Sequence, residues 1–130
     1  MPIYNVQTEE KKVAVTFDAA WTNQDMDELI RILKKHNAVA TFFIVGDWAE
    51  KFPKSVRAFY DAGHTIANHS DTHKAFSKCS REEIEEEILN CNKKLAAICC
   101  NNSQVICIVT ILFCYCRNKF KGFTAIISTI

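Results

Sequence analysis

The chain has 130 residues, 24% of them charged and 48% apolar, with a formal net charge of +1. That length suits one hydrophobic core and one domain. The near-balanced charge carries no signature of nucleic-acid binding, so no nucleic-acid partner is expected.

The average conceals two regimes that meet near position 98. All 15 acids lie between Glu9 and Glu87, and residues 1–98 carry 13 Lys and Arg, a net of −2. The last 32 residues hold no acid and three cations, Arg117, Lys119 and Lys121, a net of +3. Five of the seven cysteines crowd the same tail. They show no paired CxxC, so no zinc site is read from them, and their odd number argues against a closed disulfide framework. Glu9, Glu10, Lys11 and Lys12 follow Met1 without an apolar stretch, so no secretory signal is expected. The uncharged run 105–116 is 12 residues long, short of the ~20 that span a bilayer, and no membrane partner is expected.

In chain order, 13–17 is a short β-rich apolar run, read as a buried strand that ends at Asp18. Thr22 reads as an N-cap with Asp25 three residues on. Met26, Leu29, Ile30 and Leu33 follow at helical spacing, and Lys34, Lys35 and His36 suit the end of that helix. Residues 39–45 read as a second strand closed by Gly46. Pro53 opens a second helix with Val56, Phe59 and Tyr60 on its buried face and Gly63 as its C′ residue. Residues 65–68 form a short third strand before His69. Ser80 and Glu83 make a full capping box. The helix they open carries a stripe of Ile84, Ile88, Cys91, Leu95 and Ile98, with acids early and Lys93 and Lys94 late. In the tail, 105–116 has the propensity of a fourth strand, whereas 120–130 is apolar without a clear period.

Strand starts near 13, 39 and 65 imply βα units, a parallel sheet and right-handed crossovers. Chemistry in such sheets collects at the carboxyl ends of the strands. That rule selects Asp18, Gly46 with Asp47, and 69–73. His69 and His73 have the HxxxH spacing, which on a helical turn points two imidazoles the same way and suits one shared metal ion. A histidine pair can equally be a capping or surface feature. Asp18 can be a general base or metal ligand, or merely a strand-end turn residue.

Thr16-Phe17-Asp18 with Ala19-Ala20-Trp21 resembles the first motif of the polysaccharide deacetylases, the NodB-homology domain of carbohydrate esterase family four. His69-Ser70-Asp71-Thr72-His73 matches that family's second motif, H-[ST]-x-x-H. Thr41-Phe42-Phe43 with Gly46, and Gly63-His64 ahead of Asn68-His69-Ser70, are similar to its connecting sequence. The resemblance runs from about residue 3 to 98. It implies an α/β fold, about three βα units forming the N-terminal part of an irregular TIM-like (β/α) barrel. The implied activity is hydrolysis of N-acetyl groups, carbon–nitrogen but not peptide bonds, in peptidoglycan or chitin-like polymers, so the implied partner is an N-acetylated glycan.

By the same resemblance Asp18 is the catalytic base, and His69 and His73 bind a divalent metal, usually zinc. Ser70 supports the metal loop and Trp21 borders the substrate groove. The family acts outside the cytoplasm, on cell wall or spore, while this sequence leaves its own location open.

Two departures stand out. The common first motif is TFDDG, and its second Asp, the third metal ligand, is Ala19 here; TFDAAW is similar to a spore-associated, PdaB-like subgroup. The family's Arg-x-Pro-Tyr motif, its Asp/Trp motif and its late acid histidine have no counterpart, since no Pro and no His follow residue 98. The expected organisation is therefore a partial NodB-homology domain over 1–98 and an aberrant apolar, Cys-rich tail over 99–130. The tail's composition matches a shifted reading frame of an AT-rich gene, or else a genuine short variant. The truncated chain is expected to be inactive, and the alternative is a non-catalytic binding or interaction remnant of the same fold. A receiver-like signalling domain is set aside, because Ala19, Ala20 and His69 stand where its acids would be.

Overall fold

A computed structural model describes residues 13–99 and the backbone of 125–128. Four strands form one parallel sheet in the order β3-β2-β1-β4: β1 Ala14–Ala19, β2 Ala40–Ile44, β3 Thr65–Asn68 and β4 Ala125–Ser128. Helix α1, Met26–Lys35, carries the chain from β1 to β2. Helices α2, Gly46–Lys51, and α3, Pro53–Asp61, carry it from β2 to β3. Helix α4 is Arg81–Cys99, preceded by a 3₁₀ turn over Phe76–Lys78. Parallel pairing demands such crossovers, since a short turn can only reverse a strand.

The register fixes the rim. Val15 pairs with Ala40 and Ala19 with Ile44, and Ile44 pairs in turn with Asn68. Ala19, Ile44 and Asn68 therefore end their strands at the same height, with Asp18 one residue earlier, opposite Phe43. The core lies between the sheet and helices α3 and α4. The Phe42 ring stacks on Phe59 at 3.8 Å between centroids, and Phe17 stacks on Phe42 at 5.2 Å. Val56, Ile66, Cys91 and Leu95 are buried around them.

Several local expectations hold. Pro53 is the first residue of α3, and Gly63 has φ of +85° at the C′ position, where its N–H bonds to the Tyr60 carbonyl at 3.0 Å. The Glu83 N–H donates to Ser80 Oγ at 3.2 Å and the Ser80 N–H to Glu83 Oε2 at 2.7 Å, so both halves of the capping box form.

Others do not. Thr22 does not cap α1. Its Oγ1 accepts from the Gln24 N–H at 3.3 Å, one extra turn follows, and the helix starts at Met26 without a side-chain cap. A threonine hydroxyl can serve such a local turn as readily as a helix. Helix α2 was not expected at all; Gly46 ends the strand and begins a six-residue helix stopped by Phe52 ahead of Pro53. The stretch 105–116, expected as a fourth strand, lies outside the described residues. The strand found beside β1 comes from the segment that showed no period, with Ala14 opposite Ala125 and Phe17 opposite Ser128.

Candidate metal and catalytic site

The histidine segment is a loop, not the helical turn that the spacing suggested. Ser70 and His73 both adopt positive φ, +67° and +60°. For non-glycine residues that conformation costs of order 1–3 kcal/mol each and persists only where the surroundings impose it. The two reversals curl the chain so that His69 Nε2 and His73 Nε2 face each other at 3.2 Å, with ring centroids 5.0 Å apart.

The imposing contacts are numerous. On the sheet side the His69 N–H donates to the Ile44 carbonyl at 3.0 Å. The Gly46 and Asp47 N–H groups donate to the Ser70 and Asp71 carbonyls at 3.0 and 2.9 Å. Within the loop the Ser70 N–H donates to Asn68 Oδ1 at 2.8 Å and the His73 N–H to Ser70 Oγ at 3.1 Å. Ser70 thus holds the loop as expected of it.

On the helix side Asn68 Nδ2 donates to the Ile88 carbonyl and to Asn92 Oδ1, at 2.9 and 2.7 Å. Glu87 Oε2 accepts the Asp71 and Thr72 N–H groups at 3.0 and 2.7 Å, and Oε1 accepts the Thr72 hydroxyl at 2.7 Å. Lys94 Nζ lies 3.0 Å from Asp71 Oδ1 and 3.1 Å from both Asp47 and Glu50. Burial works against the Lys94 ammonium, but Asp71, Glu50 and Asp47 together hold its pKa well above the usual lysine range. Gly46 is required here, since a Cβ would come within 2.0 Å of Asp71 Oδ1.

Sequence reading missed this bracing. Glu87 looked like one more acid of the early-helix run. Its signal was positional: it falls three residues after Ile84 and four before Cys91, on the buried stripe.

The other arm comes from β1. Asp18, half-buried, is the second-last residue of the strand, opposite Phe43. Its charge reaches His69: burial holds the His69 pKa below the ordinary histidine value and His73 reinforces this, while Asp18 opposes it. Ala19 is buried and its carbonyl accepts the Val45 N–H at 3.1 Å. Trp21 is exposed at 63% and meets the His73 ring edge-on at 5.8 Å. Phe17, Asp18, Trp21, Met26 and Leu29 line a cavity of about 210 Å³ between β1 and α1.

Two imidazole nitrogens bound tetrahedrally to one zinc at 2.0–2.1 Å stand about 3.3 Å apart. The 3.2 Å between the Nε2 atoms fits that chelate. Among the described residues no third His, Cys, Asp or Glu joins the pair in a metal-sized group. The buried His69 Nδ1 also lacks a hydrogen-bond partner there, at the atom that an outer carboxylate or carbonyl ordinarily holds. The residues fit a two-histidine chelate with the remaining positions left to other donors. Cys91, the buried thiol nearby, has its pKa pushed up to about 12 by burial, and its Sγ donates to the Ile44 carbonyl at 3.4 Å.

Residues 5–109 match the sequence profile of the polysaccharide deacetylases. The chain belongs to that family. A chitooligosaccharide deacetylase of Sinorhizobium fredii is 33% identical over 87 residues, 67% of this chain and 40% of that protein. The peptidoglycan-N-acetylmuramic acid deacetylase of Bacillus subtilis is 30% identical over 95 residues, 73% of this chain and 36% of that protein. Its solved structure superposes with a TM-score of 0.70 over 74% of this chain and 41% of that one. A carbohydrate esterase family 4 pseudoenzyme of Bacillus anthracis superposes with a TM-score of 0.72 at 33% identity, over 75% of this chain and 35% of that one. A mutant of it with restored enzymatic activity superposes with the same score.

The chain spans less than half the length of these curated relatives. The parallel sheet and its helices are the N-terminal part of the (β/α) barrel of the polysaccharide deacetylases. Family 4 deacetylases are metalloenzymes that generally use a divalent ion. No helix among the described residues is long and apolar enough to cross a membrane.

Proposed function

We propose that this chain carries the base and metal-binding part of a deacetylase that hydrolyses the acetamide of N-acetylated glycans, peptidoglycan or chitooligosaccharide. The observation that carries the reading is the convergence of His69 Nε2 and His73 Nε2 at 3.2 Å next to the carboxyl end of β1, where Asp18 stands. In it His69 and His73 hold a divalent ion, with zinc as the candidate. Such an ion supplies Lewis acidity toward the acetamide carbonyl and acidifies bound water. Asp18 takes the proton from the attacking water, the general-base role of a carboxylate at the strand end. Ser70 Oγ keeps His73 in place by accepting the His73 backbone N–H. Trp21 offers an exposed aromatic face at the cavity to the sugar. Relatives named for peptidoglycan support a cell-wall substrate for this reading, and the proposed site of action is outside the cytoplasm.

A second reading rests on Ala19. Where the common family motif has an acid that ligates the metal, this chain has a methyl group, and a pseudoenzyme is among its structural neighbours. Under this reading the chain binds glycan without cleaving it, and residues 99–130 are a tail foreign to the family's second half.

The test is acetate release from an N-acetylglucosamine oligomer with added Zn²⁺, beside calorimetric Zn²⁺ titration. The chain as given should release no acetate and bind Zn²⁺ weakly, and Ala19→Asp should tighten binding at least tenfold, about 1.4 kcal/mol. Acetate release that vanishes in Asp18→Asn would overturn the inactive reading. Tight Zn²⁺ binding that survives His69→Ala would overturn the histidine assignment.

A further inference from the structure

We propose that Glu87 is the positioning residue of the histidine pair. The inference rests on the site reading above and adds to it a residue that touches neither metal nor substrate.

The argument begins with an imbalance in the loop. Residues 69–73 contain two non-glycine residues at positive φ, and nothing in their own sequence favours that. Relaxation of either residue to negative φ would rotate one imidazole away from the other. Something outside the loop has to hold it. The sheet-side hydrogen bonds reach the amide of His69 and the carbonyls of Ser70 and Asp71, so they fix the first half of the loop. The amides of Asp71 and Thr72 lie between the two strained residues, and they point away from the sheet. Both donate to one carboxylate oxygen, Glu87 Oε2, while the Thr72 hydroxyl donates to Oε1.

The carboxylate is suited to this and to little else. Glu87 is 5% exposed and projects from the second turn of α4, sixteen residues after Asp71. Burial raises the cost of its charge, yet the hydrogen bonds from Thr72 and the ion pair with Lys74 at 3.3 Å outweigh that, and its pKa lies below the ordinary glutamate value. Four of its acidic neighbours, Glu82, Glu83, Glu85 and Glu86, are exposed. A buried acid serves no purpose in solubility and would be a liability in a helix–sheet interface unless its acceptors were used. Here the three N–H and O–H donors of the loop use them. Groups that hold metal-binding side chains in place without touching the metal change metal affinity by about 10–100-fold.

The experiment uses the full chain, with Zn²⁺ alone as the probe, and compares wild type, Glu87→Gln, Glu87→Ala and Leu89→Ala, an exposed residue on the same helix as a control. Two readouts are taken. The first is amide hydrogen exchange of residues 70–73 against the strand amides of β1 to β3, without metal. The second is Zn²⁺ affinity by calorimetry. Glu87→Gln keeps the shape but only one acceptor oxygen. It should speed exchange at Asp71, Thr72 and His73 at least tenfold while the strand amides change less than threefold, and Glu87→Ala should exceed it. Zn²⁺ affinity should fall at least tenfold in both, and Leu89→Ala should leave both readouts unchanged.

A uniform rise in exchange across loop and strands, with Zn²⁺ affinity within twofold of wild type, makes Glu87 a merely structural residue and overturns the proposal. Where wild type and His69→Ala bind Zn²⁺ equally poorly, the metal reading fails by itself. The exchange pattern then still decides the role of Glu87, for or against.

Discussion

The two arms of the site are built to different standards. The β3 arm, 68–74, is held by backbone hydrogen bonds to the β2–α2 junction, by side chains of α4 and by its own serine. The β1 arm has a strand register, one backbone bond from Val45 to Ala19 and an exposed tryptophan. Of the two arms, strain sits in the braced one, at Ser70 and His73, and the remaining positive φ among the described non-glycine residues, at Asn37, lies outside both. The difference teaches what each arm has to do. Two metal-facing imidazoles need a fixed separation, so their loop must be over-determined. A base that meets substrate needs only a strand end at the right height, and the sheet supplies that. In the proposed reading the donor missing at Ala19 is a loss in the less braced arm, at a buried position that borders the core.

The contrast predicts where substitutions are costly. The largest effect is expected from Gly46→Ala. Its new Cβ falls 2.0 Å from Asp71 Oδ1 and 3.1 Å from Asp71 Cα, so the side chain and the backbone of the braced arm must both give way. The Lys94 to Asp71 ion pair is displaced with them. Overpacking of this kind costs about 1–3 kcal/mol. Denaturant melts of both proteins measure it. A change below 0.5 kcal/mol would mean that the loop is looser than its hydrogen bonds imply.

How much of this was legible in the sequence depends on the reach of each interaction. Ser80 and Glu83 are three residues apart and report on each other, so their capping box could be read directly. Pro53 and Gly63 carry their backbone preferences within themselves. The parallel sheet, and the strand-end rim with Asp18 and His69, followed from the spacing of the strands and the rule for parallel sheets. The shape of 69–73 did not, because HxxxH spacing implies a helix only where φ is negative, and positive φ at Ser70 and His73 is imposed by partners elsewhere. Those partners were invisible for the same reason. Glu87 acts on residues sixteen positions back, and Lys94 on Asp47, forty-seven back. Both had been given to the helix dipole, the local role open to them. Helix α2 was missed because six residues with a buried Trp48 and Ala49 give too short a stripe to reveal a period.

A smaller effect separates the arms by pH. Burial alone would raise the Glu87 pKa, but the donors of Thr72 and Lys74 leave it below its usual value. A carboxyl whose folded pKa is depressed adds stability that is fully present above its unfolded value, about 4.3, and is lost as pH falls through the folded one. Lys74 is its ion-pair partner at 3.3 Å and stays charged throughout this range. The stability gap between wild type and Glu87→Gln should therefore be constant from pH 7 to about pH 5 and narrow at more acid pH. Thermal melts along that series show it. A gap that widens toward acid would mean that Glu87 is already protonated in the folded chain.

The smallest effect on stability is expected where the β1 arm meets solvent. Trp21 is exposed at 63%, and its indole touches the site through an edge contact with His73 at 5.8 Å. Trp21→Ala uncovers no core residue and breaks no hydrogen bond of the braced loop, so the melt should shift by less than about 0.5 kcal/mol, as for other surface substitutions. Its effect should fall on binding instead. An exposed indole beside a cavity offers an apolar face to a sugar ring, and aromatic contacts of that kind contribute about 0.5–1.5 kcal/mol, or roughly 2–12-fold in affinity. Titration of a chitooligosaccharide, followed by amide chemical shifts of Asp18 to Ala20, measures that loss. A stability change above 1 kcal/mol would show that the β1 arm depends on Trp21 as the β3 arm depends on its helix, and the contrast between the two arms would not stand. An unchanged affinity together with an unchanged melt would leave the contrast in place and move the sugar elsewhere on the rim, away from the face shared by Trp21 and His73.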